Sequence, residues 1–304
     1  MKPKQVLPLV LLALIWGSYY VASQKSVEQM SVFSVGILIR LLTMILLVAI
    51  LAFRAQLHLL LQVKGVLLRL LLIGLLGFLL DLTAFIGLSL SPAGSGTALL
   101  KCDILFVNLI SVFIYKERFT KMDWAFTFVM LAGVLLIMGI NPMNFRFEGI
   151  GDIFFILSAF FVSVNAFIIK GVQLNSKQRV EDIVIAFYNN FITMVLFTVA
   201  SLFTGTFTQI SQVSNLTVLI PIVLAGIGQT LIYLVYYYNL RRYPVWIVKI
   251  FLLLMPIVSA LVCFLLFDER LTAQQCLGGA IILGGALGIL MEQKRKAAHP
   301  QADS

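Results

Sequence analysis

FIYKERFT (residues 113–120) and LLFDERLT (residues 265–272) are nearly the same octet written twice, 152 residues apart in a chain of 304. Each copy stands where one apolar run ends and the next begins. Thr120 with Asp123, and Thr272 with Gln275, have the spacing of a capping box, in which a threonine caps a helix start and the third residue on caps back. Arg118 and Arg270, after Glu117 and Glu269, fall in the last turn of the preceding helix, where positive charge is favourable. Each octet therefore predicts a tight helical hairpin, and its charged residues are structural turns.

The duplication runs beyond the octet. At the same offset Gly74 matches Gly226, Pro92 matches Pro244, Leu131 matches Leu283, Gly133 matches Gly285 and Ile137 matches Ile289. Nearer the start of each half the offset falls to 145, pairing Ser18 with Ser163 and Lys25 with Lys170. The chain divides into a first repeat over residues 1–140, a second over 150–291, and a short tail at 292–304.

Composition fixes the surroundings. Hydrophobic residues make up 61% of the chain and charged residues only 12%, against about half and a quarter in a soluble domain. Ten apolar runs of bilayer-spanning length are predicted: 5–23, 32–53, 66–88, 93–115, 122–140, 150–171, 183–204, 216–240, 244–267 and 272–291. The fold class is an all-α integral membrane protein of ten spans. Five spans per half is odd, so the second half enters the bilayer upside down, the inverted-repeat pattern of secondary transporters. Val21-Ala22-Ser23 loosely imitates a signal-cleavage site. The run before it is long and nine more follow, so the first span is expected to be retained.

With the N-terminus inside, 16 lysines and arginines fall on inner segments and only Lys25, Arg146 and Arg270 fall outside. The positive-inside rule then places both termini in the cytoplasm. It also accounts for the net charge of +9 without a nucleic-acid partner. Cys102, Cys263 and Cys276 read as small buried hydrophobes.

The octets, Ala13-Leu14-Ile15-Trp16-Gly17-Ser18 in the first span and Arg40 in the second together resemble the drug/metabolite transporter superfamily, specifically its ten-helix EamA type of bacterial inner membranes. The resemblance implies a central cavity built from spans 1, 3, 4, 6, 8 and 9, with spans 5 and 10 supporting from the side. It implies export of amino acids, other metabolites or drugs.

Lys101 and Lys249 depart from that pattern. They lie in the repeat-related spans 4 and 9, where a charge near the centre costs roughly 2.5–3.5 kcal/mol and so faces a cavity or a partner. Flanking the midplane, they are candidates to bind an anionic group, a carboxylate above all, although Lys249 is shallow enough to snorkel. Asp103 is expected to point away from Lys101 on a continuous helix. Arg40 and Asp81 suggest an ion pair joining spans 2 and 3, with proton coupling through Asp81 or Asp103 as the alternative. Trp16, Tyr20, Asn108, Asn165, Gln229 and Tyr233 complete the expected substrate-binding set. Tyr236, Tyr237 and Tyr238 read as an interfacial aromatic belt. In span 10, Ala280, Gly284 and Gly288 form a small-residue stripe expected to pack on span 5 rather than on a second copy.

No phosphate-binding loop is present, which excludes a nucleotide motor. Gly94-Ser95-Gly96 imitates a hydrolase motif, but His58 and His299 lie in a loop and in the tail, too far to act as its base. No metal-ligand spacing and no cofactor motif is found. The expected partners are a small-molecule substrate and the lipid bilayer. An intramembrane enzyme and a channel are the competing classes.

Overall fold

A computed structural model describes residues 3–90, 99–117, 119–139, 150–175, 179–267 and 272–298. The helices are α1 (Pro3–Val27), α2 (Val32–Phe53), α3 (Leu67–Leu90), α4 (Asp103–Phe113), α5 (Lys121–Ile137), α6 (Ile150–Gln173), α7 (Asp182–Phe203), α8 (Leu216–Arg242), α9 (Val245–Leu252), α10 (Met255–Phe267) and α11 (Ala273–Ala298). Short 3-10 helices at Leu57–Leu61 and Thr206–Ser214 cross between longer ones. Among the described residues there is no strand, and eight helical spans are long and apolar enough to cross a membrane. That is two fewer than the ten expected, because α4 and α5 have only 11 and 17 residues. Large apolar side chains point outward: Phe53 is 93% exposed and Phe203 89%. In a bilayer such side chains meet lipid at no cost.

Both capping boxes form. Thr120 N donates to Asp123 Oδ2 at 2.8 Å while Asp123 N donates to Thr120 Oγ1 at 3.2 Å. The second box repeats this with Thr272 N on Gln275 Oε1 (2.9 Å) and Gln275 N on Thr272 Oγ1 (3.2 Å). Pro92, Arg118, Glu269 and Arg270 lie outside the described residues.

The contacts come in pairs. α3 packs on α6 as α1 packs on α8, α3 packs on α7 as α2 packs on α8, and α6 meets α4 as α1 meets α10. The pairs α2–α7 and α5–α11 join corresponding helices of the two halves. Individual bonds repeat likewise. Thr43 Oγ1 donates to the Gly226 carbonyl at 3.2 Å, and Thr193 Oγ1 to the Gly74 carbonyl at 3.1 Å. At the two glycines, an added Cβ would stand 2.6 Å from Leu42 Cδ2 and 2.5 Å from Ile192 Cβ. Since lipid tails are as apolar as leucine, such close approach and interhelical bonding hold the bundle together.

Two expectations about the side helices change in detail. α11 does pack on α5, but through Gly278, Gly285 and Gly288, whereas Ala280 and Gly284 are exposed. The glycine in contact is one residue on from the stripe's centre, which turns the contact face about 100° around the helix. Cys276 is also exposed, on the outer side of α11, where a small apolar side chain can meet lipid as readily as protein.

Span 9 is not one continuous helix. The chain turns at Leu253–Leu254, where Leu253 N and Leu254 N bond three residues back, to the Ile250 and Phe251 carbonyls. Pro256 supplies the cause, since it has no amide hydrogen for the Leu252 carbonyl and its ring crowds that carbonyl. Span 4 turns at Lys101–Cys102, with Cys102 N on the Leu99 carbonyl. The two breaks are 152 residues apart, at corresponding positions of the repeat.

Candidate functional site

At the two breaks, Lys249 meets the Asp103 carboxylate and Lys101 meets Met255. Lys249 Nζ donates to Asp103 Oδ2 at 2.8 Å, and the two side chains are 2% and 15% exposed. Lys249 therefore does not snorkel; it is buried against α4. Asp103 opens α4, and among the described residues its carboxylate pairs with Lys249 and forms no ion pair with Lys101. Lys101 is half-buried and directs Nζ at Met255 Sδ, 3.7 Å away across the other break. Ser163 Oγ on α6 donates to the Asp103 carbonyl at 2.9 Å, fixing the first turn of α4.

An aromatic wall faces these charges. Tyr236 lies 6.0 Å from Lys249 Nζ, measured to its ring centroid, and meets Trp16 edge-on at 5.4 Å. Tyr236 and Tyr237 are buried, which removes them from the expected interfacial belt. Tyr236 packs inward on Trp16 of α1, and Tyr237 Oη accepts from Asn189 Nδ2 of α7 at 2.8 Å. Only Tyr238 suits the belt, exposed and with the Arg242 guanidinium 3.6 Å over its ring.

A second charged group adjoins the first. Arg40 Nη2 meets Asp81 Oδ2 at 2.5 Å, forming the expected ion pair. It does not join two closely packed helices. α2 and α3 both pack on α7, and the pair reaches across. Asn190 on α7 donates to the Arg40 carbonyl at 2.7 Å, and Arg40 Nη1 donates to Tyr233 Oη at 3.4 Å. Tyr233, Tyr237 and Tyr236 then form a chain of rings, with centroids 5.6 and 5.8 Å apart, back to Lys249.

The remaining expected residues scatter. Asn108 is buried with Nδ2 on Thr127 Oγ1 at 3.4 Å, tying α4 to α5. Asn165 on α6 is buried, and its Oδ1 accepts no hydrogen bond among the described residues. Gln229 is half-buried on α8. The Tyr20 side chain lies outside the described residues. The sequence reading missed Tyr236, Met255 and the anchoring role of Ser163. Ser163 had surfaced only as the repeat partner of Ser18. A groove of about 450 Å³ between α3, α4 and α6, lined by Arg69, Ile110, Tyr115 and Phe167, is almost wholly apolar and contains none of the predicted site residues.

At the face bearing the N-terminus one bond ties the two halves and a second joins α6 to α8 within the second half. Asn239 Nδ2 donates to the Pro8 carbonyl at 2.9 Å, and Lys170 Nζ caps the end of α8 through the Leu240 carbonyl at 2.8 Å. At the opposite face Ser31 N donates to Gln209 Oε1 and Ser34 Oγ to the Thr206 carbonyl, each at 2.7 Å. The lysine–aspartate cluster lies between these two sets of ties.

Comparison with known proteins places this arrangement. Residues 4–139 and 149–291 each match the profile of the EamA-like transporter family. A "Probable amino-acid metabolite efflux pump" of Escherichia coli (strain K12) is 28% identical over 199 residues, which are 64% of this chain and 66% of that protein. The protein so named in Salmonella typhimurium is 25% identical over the same proportions. The match thus spans just under two thirds of these relatives' length. One solved structure, described only as "Crystal structure of protein", superposes with a TM-score of 0.80 over 97% of this chain and 99% of its own, at 19% identity, which shows a shared fold. With a family match in both halves and several apolar spanning helices, the chain is a multi-pass membrane protein, and it belongs to the EamA-like transporter family.

Proposed function

We propose that this protein is a secondary-active exporter of a small metabolite bearing a carboxylate, such as an amino acid, working by alternating access. Its frame is ten crossings in two inverted five-helix repeats, in a bacterial inner membrane, with both termini cytoplasmic. The paired contacts of Thr43 with Gly226 and Thr193 with Gly74, and the matched breaks at residues 101–102 and 253–254, support that symmetry. Exchange of inward and outward forms follows when the two halves swap their packing about a fixed centre.

The observation that carries the reading is the buried Lys249–Asp103 pair with Lys101 beside it, set on broken helices between two tied faces. Interrupted helices at mid-membrane are where such carriers bind their cargo. Lys101, with Lys249 held on Asp103 beside it, is the group for the cargo's carboxylate, and Trp16 and Tyr236 form a wall for its apolar body. Relatives named as amino-acid metabolite efflux pumps agree with this class of cargo. An enzyme reading has no nucleophile–base pair to support it in the described membrane interior. Proton coupling through Asp81 or Asp103 has to break an ion pair first, since Arg40 and Lys249 hold the two carboxylates.

Counterflow in proteoliposomes tests the proposal. Vesicles preloaded with an unlabelled amino acid or carboxylate are expected to accumulate the labelled compound transiently. A channel would show simple equilibration, and an enzyme would release a new product. Either result would end the carrier reading.

A further inference from the structure

The charge inventory of the centre does not balance. Lys101 and Lys249 contribute two positive charges, and Asp103 contributes one negative. The adjoining Arg40–Asp81 pair neutralises itself. Residues 91–98, which lead into Lys101, contain no ionisable side chain. Among the described residues, the other groups set against the cluster are the neutral Tyr236, Ser163 and Met255, with Trp16 behind Tyr236. One positive charge, on Lys101, is left facing a thioether sulfur among the described residues.

We infer that the site selects its cargo by net charge and takes monoanions, such as hydroxy acids, keto acids or N-acylated amino acids, ahead of zwitterionic amino acids. This rests on the carrier reading above and narrows its substrate class. Desolvated charge is expensive unless paired. A monoanion brings the centre to neutrality. A zwitterion leaves the same unpaired charge as the empty site, and an amine doubles it. Asp103 has a further role here: it consumes the charge of Lys249, so that a site with two lysines presents a single unit of charge rather than two. Dianions are therefore disfavoured as well. Lys249 positions Asp103 and fixes the count, while Lys101 meets the cargo.

The test uses compounds that share a branched apolar end and differ in charge: leucine (zwitterion), 2-hydroxyisocaproate (monoanion), isoamylamine (cation) and isopropylmalate (dianion). Each competes for counterflow in proteoliposomes holding the full chain. The monoanion is expected to exceed leucine by about tenfold, the ratio that about 1.4 kcal/mol of charge compensation gives. Lys101→Gln should bring the net charge to zero and move the optimum to leucine. Lys101→Arg should keep the monoanion first. A monodisperse elution profile shows that each variant is folded, and the wild-type ranking decides the matter even without them. Leucine or the amine ranking first in wild type overturns the inference, as does the same ranking in wild type and Lys101→Gln. If none of the four compounds exchanges in wild type, the carrier reading fails and takes the inference with it. Exchange with the wrong ranking sinks only the charge rule.

Discussion

Lys249 on α9 donates to Asp103 on α4 over 2.8 Å, and this bond joins the two broken helices at the centre of the molecule. Removing one member of a buried pair strands the other's charge, at about 3–5 kcal/mol. The two losses should differ. Without Lys249, Asp103 still has Lys101, two residues back in the chain, to oppose its charge. Without Asp103, Lys249 loses its partner and neither lysine is compensated. Asp103→Asn is therefore expected to cost about 3–5 kcal/mol and Lys249→Met less. The double variant should cost less than the sum, with a coupling in the range of about 0.5–3 kcal/mol typical of contacting residues. Reversible unfolding in mixed micelles measures all four corners of this cycle. Strict additivity would show that the pair does not form.

The α5–α11 contact gives a sharper steric contrast. A Cβ on Gly278 would lie 2.6 Å from the Gly133 carbonyl oxygen and 2.8 Å from Ile137 N, backbone atoms that cannot swing away. Gly284, six residues on, has nothing within 4 Å. Gly278→Ala should cost about 1–3 kcal/mol as overpacking does. Gly284→Ala should stay within about 0.5 kcal/mol or gain slightly from helix propensity. Thermal melting of the detergent-solubilised protein separates the two. Equal losses at both positions would mean that α11 presents its other face, to a second copy or to another helix.

How far the sequence reached can be traced through these same residues. The octets were readable because a capping box is a local device: Thr120 and Asp123 need only each other. Arg40 and Asp81 were readable as partners because unpaired charge is rare at that depth. The Lys249–Asp103 bond was not, since it depends on where span 4 stops being helical. Pro256 marks the break in span 9, but Ile104 stands at the corresponding place in span 4, and no residue there announces a turn. Tyr236 was misread for a different reason. A run of three tyrosines near a helix end looks alike whether it faces headgroups or a core, and only the packing of α8 on α1 decides.

The paired threonine bonds allow a test of symmetry itself. Thr43 and Thr193 each donate to a glycine carbonyl on the helix that crosses them, and each also has a neighbour that fits the missing Cβ. Interhelical side-chain bonds in membranes average about 0.6 kcal/mol. Thr43→Val and Thr193→Val are expected to lose about that much each, to match one another, and to add in the double variant. Unfolding free energies that differ by more than about 1 kcal/mol between the two would remove the equivalence of the sites.

Glu117 offers a pH handle outside the spanning helices. It follows the end of α4, and its amide donates to the Ser111 carbonyl at 2.9 Å, closing the helix. Burial raises its carboxyl above the ordinary value of 4.5, and Ser111, Lys170 and Trp246 only partly oppose the shift. One carboxylate oxygen, Oε2, is buried and accepts no hydrogen bond among the described residues. A raised carboxyl pKa means that the folded protein holds the proton more tightly than the unfolded chain. Its contribution is fully present below pH 4.5 and is lost as pH rises through the raised value. Glu117→Gln cannot ionise and escapes that loss. The melting temperature of wild type should therefore fall relative to Glu117→Gln as pH is raised from about 4.5 to 7.5, the span over which a raised carboxyl ionises. A gap that stays constant, or that closes with rising pH, would show instead that Lys170 outweighs burial at this turn.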